Sequence, residues 1–123
     1  MKCVLILLSV AALAAAADSA KVTQLMKQDL AGMTAKEATM LTVEYPPGGS
    51  SPEHRHNAHT FVYVLEGSLV MQVKGGKAVT LGPGQTFYES PDDVHTVSKN
   101  ASSTQPAKFL VVFVKGAAPP SPK

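Results

Sequence analysis

The sequence predicts an all-β domain, and three observations carry that prediction. Runs rich in β-branched and aromatic residues recur along the chain, the strongest being Thr60 to Leu65 (TFVYVL) and Lys108 to Lys115 (KFLVVFVK). Turn-forming clusters separate the runs at spacings of about 8–12 residues, as in sandwiches and barrels. Both of the strongest runs are apolar on both parities, so each needs cover on two faces, one given by the domain's own core and the other expected from a second subunit.

Taken in order, Lys21 to Lys36 has Val22, Leu25, Met26, Leu30 and Met33 near helical spacing, interrupted by Gly32 and Thr34. This predicts a short helical turn or an irregular N-terminal arm over 21–37, ahead of a barrel over 38–116. Ala38 to Tyr45 is a strand, stopped at Pro46-Pro47 because proline cannot donate to a ladder. Thr60 to Leu65 follows the Gly-Ser-Pro loop, and Glu66-Gly67 turns the chain into Leu69 to Lys74. The paired Gly75-Gly76 predicts a two-residue hairpin into Lys77 to Leu81, since glycine accepts the positive φ such turns need. Gly82-Pro83-Gly84 leads to Thr86 to Glu89, Pro91-Asp92-Asp93 delivers Val94 to Val97, and a polar loop over 98–106 precedes the last strand. The Pro-rich residues 117–123 are expected to be a disordered tail.

With 123 residues and a hydrophobic fraction of 45%, the chain has room for one globular domain. Its net charge of +2 comes with scattered lysines and no basic stripe, which argues against a nucleic-acid partner. Neither a G-x-x-x-x-G-K nor a G-x-G-x-x-G run is present, so nucleotide binding has no support. At the N-terminus, Met1-Lys2 precedes an apolar run from Cys3 to Ala17 and small residues up to Ala20, the pattern of a secretory signal peptide over 1–20 cleaved near 17–20. At about 1.5 Å per residue that run reaches only about 22 Å, short of the roughly 30 Å of a hydrocarbon core. The expectation is a periplasmic or secreted protein with no membrane attachment once the signal is removed. Cleavage takes away Cys3, the only cysteine, and with it every thiolate mechanism, zinc ribbon and disulfide.

The chemistry concentrates between Pro46 and Gly67, where His54, His56 and His59 lie just ahead of the strongest strand; His95 is far downstream. In an extended chain the H-x-H of His54 and His56 aims both imidazoles to one side, and a third ring from a later strand would complete a first-row metal site. Taken singly, each histidine is as well explained by a surface or hydrogen-bonded role.

These residues resemble the motifs of the cupin superfamily, specifically its small single-domain, quercetin-dioxygenase-like members. The first family motif is roughly G-x5-H-x-H-x3,4-E-x6-G, and Gly48, His54, His56 and Gly67 stand in matching places. The second is roughly G-x5-P-x-G-x2-H-x3-N; Gly84 and His95 keep its spacing, while Pro91 and Asn100 each sit one place late and the inner glycine is missing. The resemblance covers most of the mature domain and implies a double-stranded β-helix, or jelly-roll, barrel. It also implies a divalent ion, with iron first and manganese, nickel, copper or zinc as alternatives, held by His54, His56 and His95.

The family's metal-binding Glu falls on Thr60, so the resemblance implies a three-histidine centre that keeps its full +2 charge and favours an anionic or enolisable bidentate ligand over neutral sugars. His59 is either a fourth ligand turned inward by a bulge or a rim residue pointed outward by strand alternation. Glu89 reads better as an exposed turn-flanking residue than as a pocket carboxylate. Gln72 and Tyr63 read as packing or hairpin residues, and Glu53 and Arg55 as outward-facing. By resemblance the protein is either a metal-dependent dioxygenase for a small enolisable or thiol substrate, or a metal- or small-ligand-binding protein without turnover. The both-parity apolar character of Thr60 to Leu65 adds the expectation of a homodimer.

Overall fold

The structure, a computed structural model, describes residues 19–29, 32 and 34–116. The expected signal segment up to residue 18 and the Pro-rich tail over 117–123 lie outside these residues. Nine strands make up the described chain: β1 (Lys21–Asp29), β2 (Glu37–Tyr45), β3 (Ser50–Ser51), β4 (His59–Glu66), β5 (Leu69–Val73), β6 (Val79–Leu81), β7 (Thr86–Glu89), β8 (His95–Asn100) and β9 (Ala107–Lys115). They form a five-stranded sheet in the order β1-β2-β9-β4-β7 and a four-stranded sheet in the order β3-β8-β5-β6, with every pairing antiparallel. This is the all-β arrangement the turn spacing predicts, and it is consistent with the jelly-roll barrel the resemblance implies.

The core lies between the sheets. Val43 and Tyr45 from β2, Val62 and Val64 from β4, Leu69 and Met71 from β5, Leu81 from β6, and Ala107, Phe109 and Val111 from β9 are all buried. Each set is spaced by two because successive strand residues point to opposite faces. The Tyr45 hydroxyl, fully buried, shares hydrogen bonds with Ser51 Oγ (2.6 Å) and Ser98 Oγ (2.8 Å), tying β2 of one sheet to β3 and β8 of the other. A buried phenol needs such partners, and here they join the two layers.

Two expectations need correction. The arm over 21–37 is not a helical turn: Lys21–Asp29 is an edge strand, exposed along its whole length and paired with β2. Its register slips between Gln24 and Met26, and this bulge at Leu25 inverts the facing of the residues that follow. Two apolar parities joined by a bulge imitate a helical repeat. The Gly75-Gly76 hairpin is not a two-residue turn either; Gly76 N–H donates to Val73 O (2.9 Å), placing Lys74 and Gly75 at the corner, with Gly75 at φ 83°, before β6 begins at Val79. Within the chain β4 is covered on one face, as expected of a strand whose inner side meets the core: Thr60, Val62 and Val64 are buried, whereas Phe61, Tyr63 and Leu65 face outward.

Candidate metal centre

The histidines are brought together by a backbone bridge. His54 N–H donates to His95 O (3.2 Å) and His95 N–H to His54 O (2.8 Å), so two residues distant in the chain sit directly opposite one another, as in an antiparallel pair. Their rings lie 5.0 Å apart between centroids. His56 closes the group: its ring is T-shaped to that of His54 at 4.5 Å, and the Nε2 atoms of the two are 2.8 Å apart. One candidate ligand atom from each of His54, His56 and His95 falls within 4.8 Å of the others. After His56 the chain reverses through Asn57, the one non-glycine residue with positive φ (52°) among those described, a conformation that asparagine tolerates. Arg55 points away from the rings and anchors the loop, donating from Nε to Pro91 O (3.1 Å) with its guanidinium 3.3 Å from Asp92 Oδ1.

The group stands at the polar end of an otherwise apolar cavity of about 320 Å³. Val22, Leu41, Val62, Met71, Val111 and Phe113 supply its greasy walls; Phe113 also packs on His56 with centroids 4.6 Å apart. Burial lowers the His56 pKa from its usual value, the neighbouring His54 and His95 lower it further, and Glu89 opposes the shift. The net direction favours the neutral imidazole, the form that ligates metals.

Each candidate from the sequence has a definite place. His54, His56 and His95 converge. His59 does not join them: alternation along β4 turns it outward, where Nδ1 is 2.7 Å from the Tyr88 hydroxyl. Thr60 is buried at the cavity wall, its hydroxyl donating to Ala58 O at 3.2 Å. Tyr63 is exposed on the outer face, Gln72 is spent on the hairpin through Gly76 O (2.9 Å), and Glu53 is exposed.

Glu89 overturns its expected role. It is 3% exposed, lines the same cavity, and its Oε1 is 3.0 Å from His95 Nδ1. A carboxyl group therefore stands beside the three imidazoles, and the expectation of a centre with histidines alone is corrected. The signal for Glu89 was its spacing of two from the apolar Phe87, which places both on the inner face of β7, where the Phe87 ring stacks on His95 at 5.9 Å.

The donor set fits a divalent ion on its own evidence. His95 is 3% exposed, yet neither ring nitrogen has a hydrogen-bond partner of good geometry, its contact with Glu89 being close but poorly aligned. Orphaned buried polar atoms are costly unless something binds them. Three imidazoles beside a carboxylate form a donor set that suits iron, nickel, copper or zinc.

Comparison with known proteins agrees with this fold. The family described as "Cupin domain" matches residues 41–113. Among solved structures, the cupin domain of Cnp3 from Schizosaccharomyces pombe superimposes with a TM-score of 0.65 at 14% identity, covering 78% of this chain and 61% of that one. The DMSP lyase DddQ from Ruegeria pomeroyi gives a TM-score of 0.66 at 20% identity, over 86% of this chain and 52% of the lyase. A recombinant oxalate oxidase in complex with glycolate gives 0.63 at 25% identity, over 80% and 52%. The chain thus spans between half and about three fifths of these three proteins. No curated protein sequence matches it significantly.

Proposed function

The chain belongs to the cupin domain family, and from that premise we propose that it binds a divalent metal ion through His54, His56 and His95 and oxidises a small enolisable or thiol substrate with dioxygen. The observation that carries the reading is the buried His95, whose Nε2 has no partner, beside two converging imidazoles. When bound, the ion supplies Lewis acidity that stabilises an organic anion and holds it next to dioxygen. The chain's own residues do the rest. Mostly apolar walls line a space of about 320 Å³, enough for a small organic molecule. Phe113 and Phe87 hold the rings of His56 and His95 by packing on them. The positive charge of the ion favours an anionic chelator such as an enolate or thiolate over a neutral sugar. The small organic acid in the oxalate oxidase complex is a ligand of the same chemical kind.

The test is oxygen consumption by the natively purified, metal-analysed protein on a panel of β-diketones, flavonols and thiols. Turnover by the wild type that is lost in His95→Ala supports the proposal. Metal bound at stoichiometry with no turnover across the panel overturns the enzymatic part and leaves a metal- or ligand-binding cupin. We also infer export to the periplasm or exterior, supported by the apolar leader, and a homodimer built on the outer face of β4 and β7, supported by Phe61, Tyr63, Leu65 and Tyr88 standing 39–49% exposed on one sheet.

A further inference from the structure

We propose that Glu89 is the carboxylate of this metal centre, moved from β4 to the neighbouring strand β7 and acting through His95 as a positioning residue; this rests on the metal-binding reading above. The place where the family motif carries its Glu is Thr60, and the β4–β7 ladder pairs Thr60 directly with Glu89. Residues opposite one another in an antiparallel ladder share a face with Cβ atoms about 4.5–5.5 Å apart. Both are buried, at 1% and 3% exposure, and both line the same cavity. The carboxylate has been shifted sideways by one strand spacing rather than lost.

That sideways shift changes what the carboxylate touches. Glu89 Oε1 lies against Nδ1 of His95 rather than Nε2. A carboxylate there holds the proton on Nδ1 and leaves the Nε2 lone pair for a metal, the outer-layer arrangement that orients ligating histidines and raises their basicity. His54 is held the same way, its Nδ1 2.7 Å from Pro52 O while its Nε2 faces His56 Nε2. Two of the three rings therefore have Nδ1 beside an oxygen acceptor, with the Nε2 of His54 turned toward His56 and the Nε2 of His95 without a partner. Glu89 is buried, and its carboxylate lies against a histidine ring that has no well-formed partner elsewhere.

The test is titration of the metal-free protein with Co(II), read by the visible d–d absorption, with competing chelators fixing the affinity. Glu89→Gln, which keeps the shape and removes the charge, is expected to weaken Co(II) binding about 10–100-fold, the usual loss for such outer partners, with the band pattern of the wild-type coordination number retained. Glu89→Asp is a second variant should Gln fail to fold, and an intermediate loss is expected for it. Unchanged affinity within about twofold in either variant overturns the inference, as does a changed coordination number, which would make Glu89 a direct ligand. Should the wild type itself take up no Co(II) at stoichiometry, the metal-binding reading fails first, so the two failures are distinguishable.

Discussion

Placing a glutamate at position 60, where the family motif has one, should harm this protein rather than help it. Thr60→Glu would put a second carboxylate on the buried face directly opposite Glu89. At about 5 Å and an effective dielectric constant of about 20, two such charges repel by about 3 kcal/mol. For a domain of this size about 1 kcal/mol shifts Tm by roughly 4–8 °C, so the metal-free variant is expected to melt about 12–24 °C below the wild type. Thr60→Val removes only the hydroxyl bond to Ala58, about 1 kcal/mol, and separates that loss from the repulsion. The double variant Thr60→Glu/Glu89→Gln returns the single carboxylate to β4; it should recover most of the lost stability and bind metal more tightly than Glu89→Gln alone. Calorimetry of the four proteins, each with and without Co(II), is the assay. A Thr60→Glu protein melting within about 3 °C of wild type without metal would refute the reasoning, because the two side chains would then not share a buried site.

Three further outcomes follow from the same structure. Gly67 adopts φ 76° with Ala107 Cα 2.8 Å from where a Cβ would sit, so Gly67→Ala combines left-handed strain with overpacking and should cost about 2–5 kcal/mol, read as a shifted urea midpoint. His56 has its pKa lowered by burial and by its histidine neighbours, so the unfolded chain takes up that proton more readily than the native protein; the stability of the metal-free form should be full above about pH 6.5 and fall as pH drops below it, with a shallower fall in His56→Gln, measured by Tm against pH. Phe61→Glu, on the exposed face of β4, should convert a dimer to a monomer in sedimentation velocity without changing metal affinity.

How much was legible in the sequence depended on how local each signal was. The strands from Ala38 onward could be read because proline and glycine clusters mark their ends, and His54, His56 and His95 because spacing and resemblance agree. β1 was hidden by its own bulge: slipping one residue at Leu25 breaks the two-residue period, and the apolar side chains then fall at helical intervals. Glu89 was hidden for another reason. Its burial depends on the pairing of β7 with β4, a long-range register that a four-residue strand cannot announce, and a Glu beside a Ser-Pro turn usually faces water. The outward face of β4 was legible as one left for a cover from outside the chain, because a small domain has a single core and Thr60 to Leu65 is apolar on both parities.

The backbone bridge between His54 and His95 gives the bound ion a mechanical part as well as a chemical one. It clamps the loop after β3 to the start of β8, and His56 leans on Phe113 near the end of β9, so a cation gripped by the three rings would cross-link segments belonging to both sheets. Loading and stripping the ion should therefore be visible far from the cavity, as slower or faster amide exchange along β8 and β9, and the apo protein should loosen along that seam before the rest of the sandwich gives way.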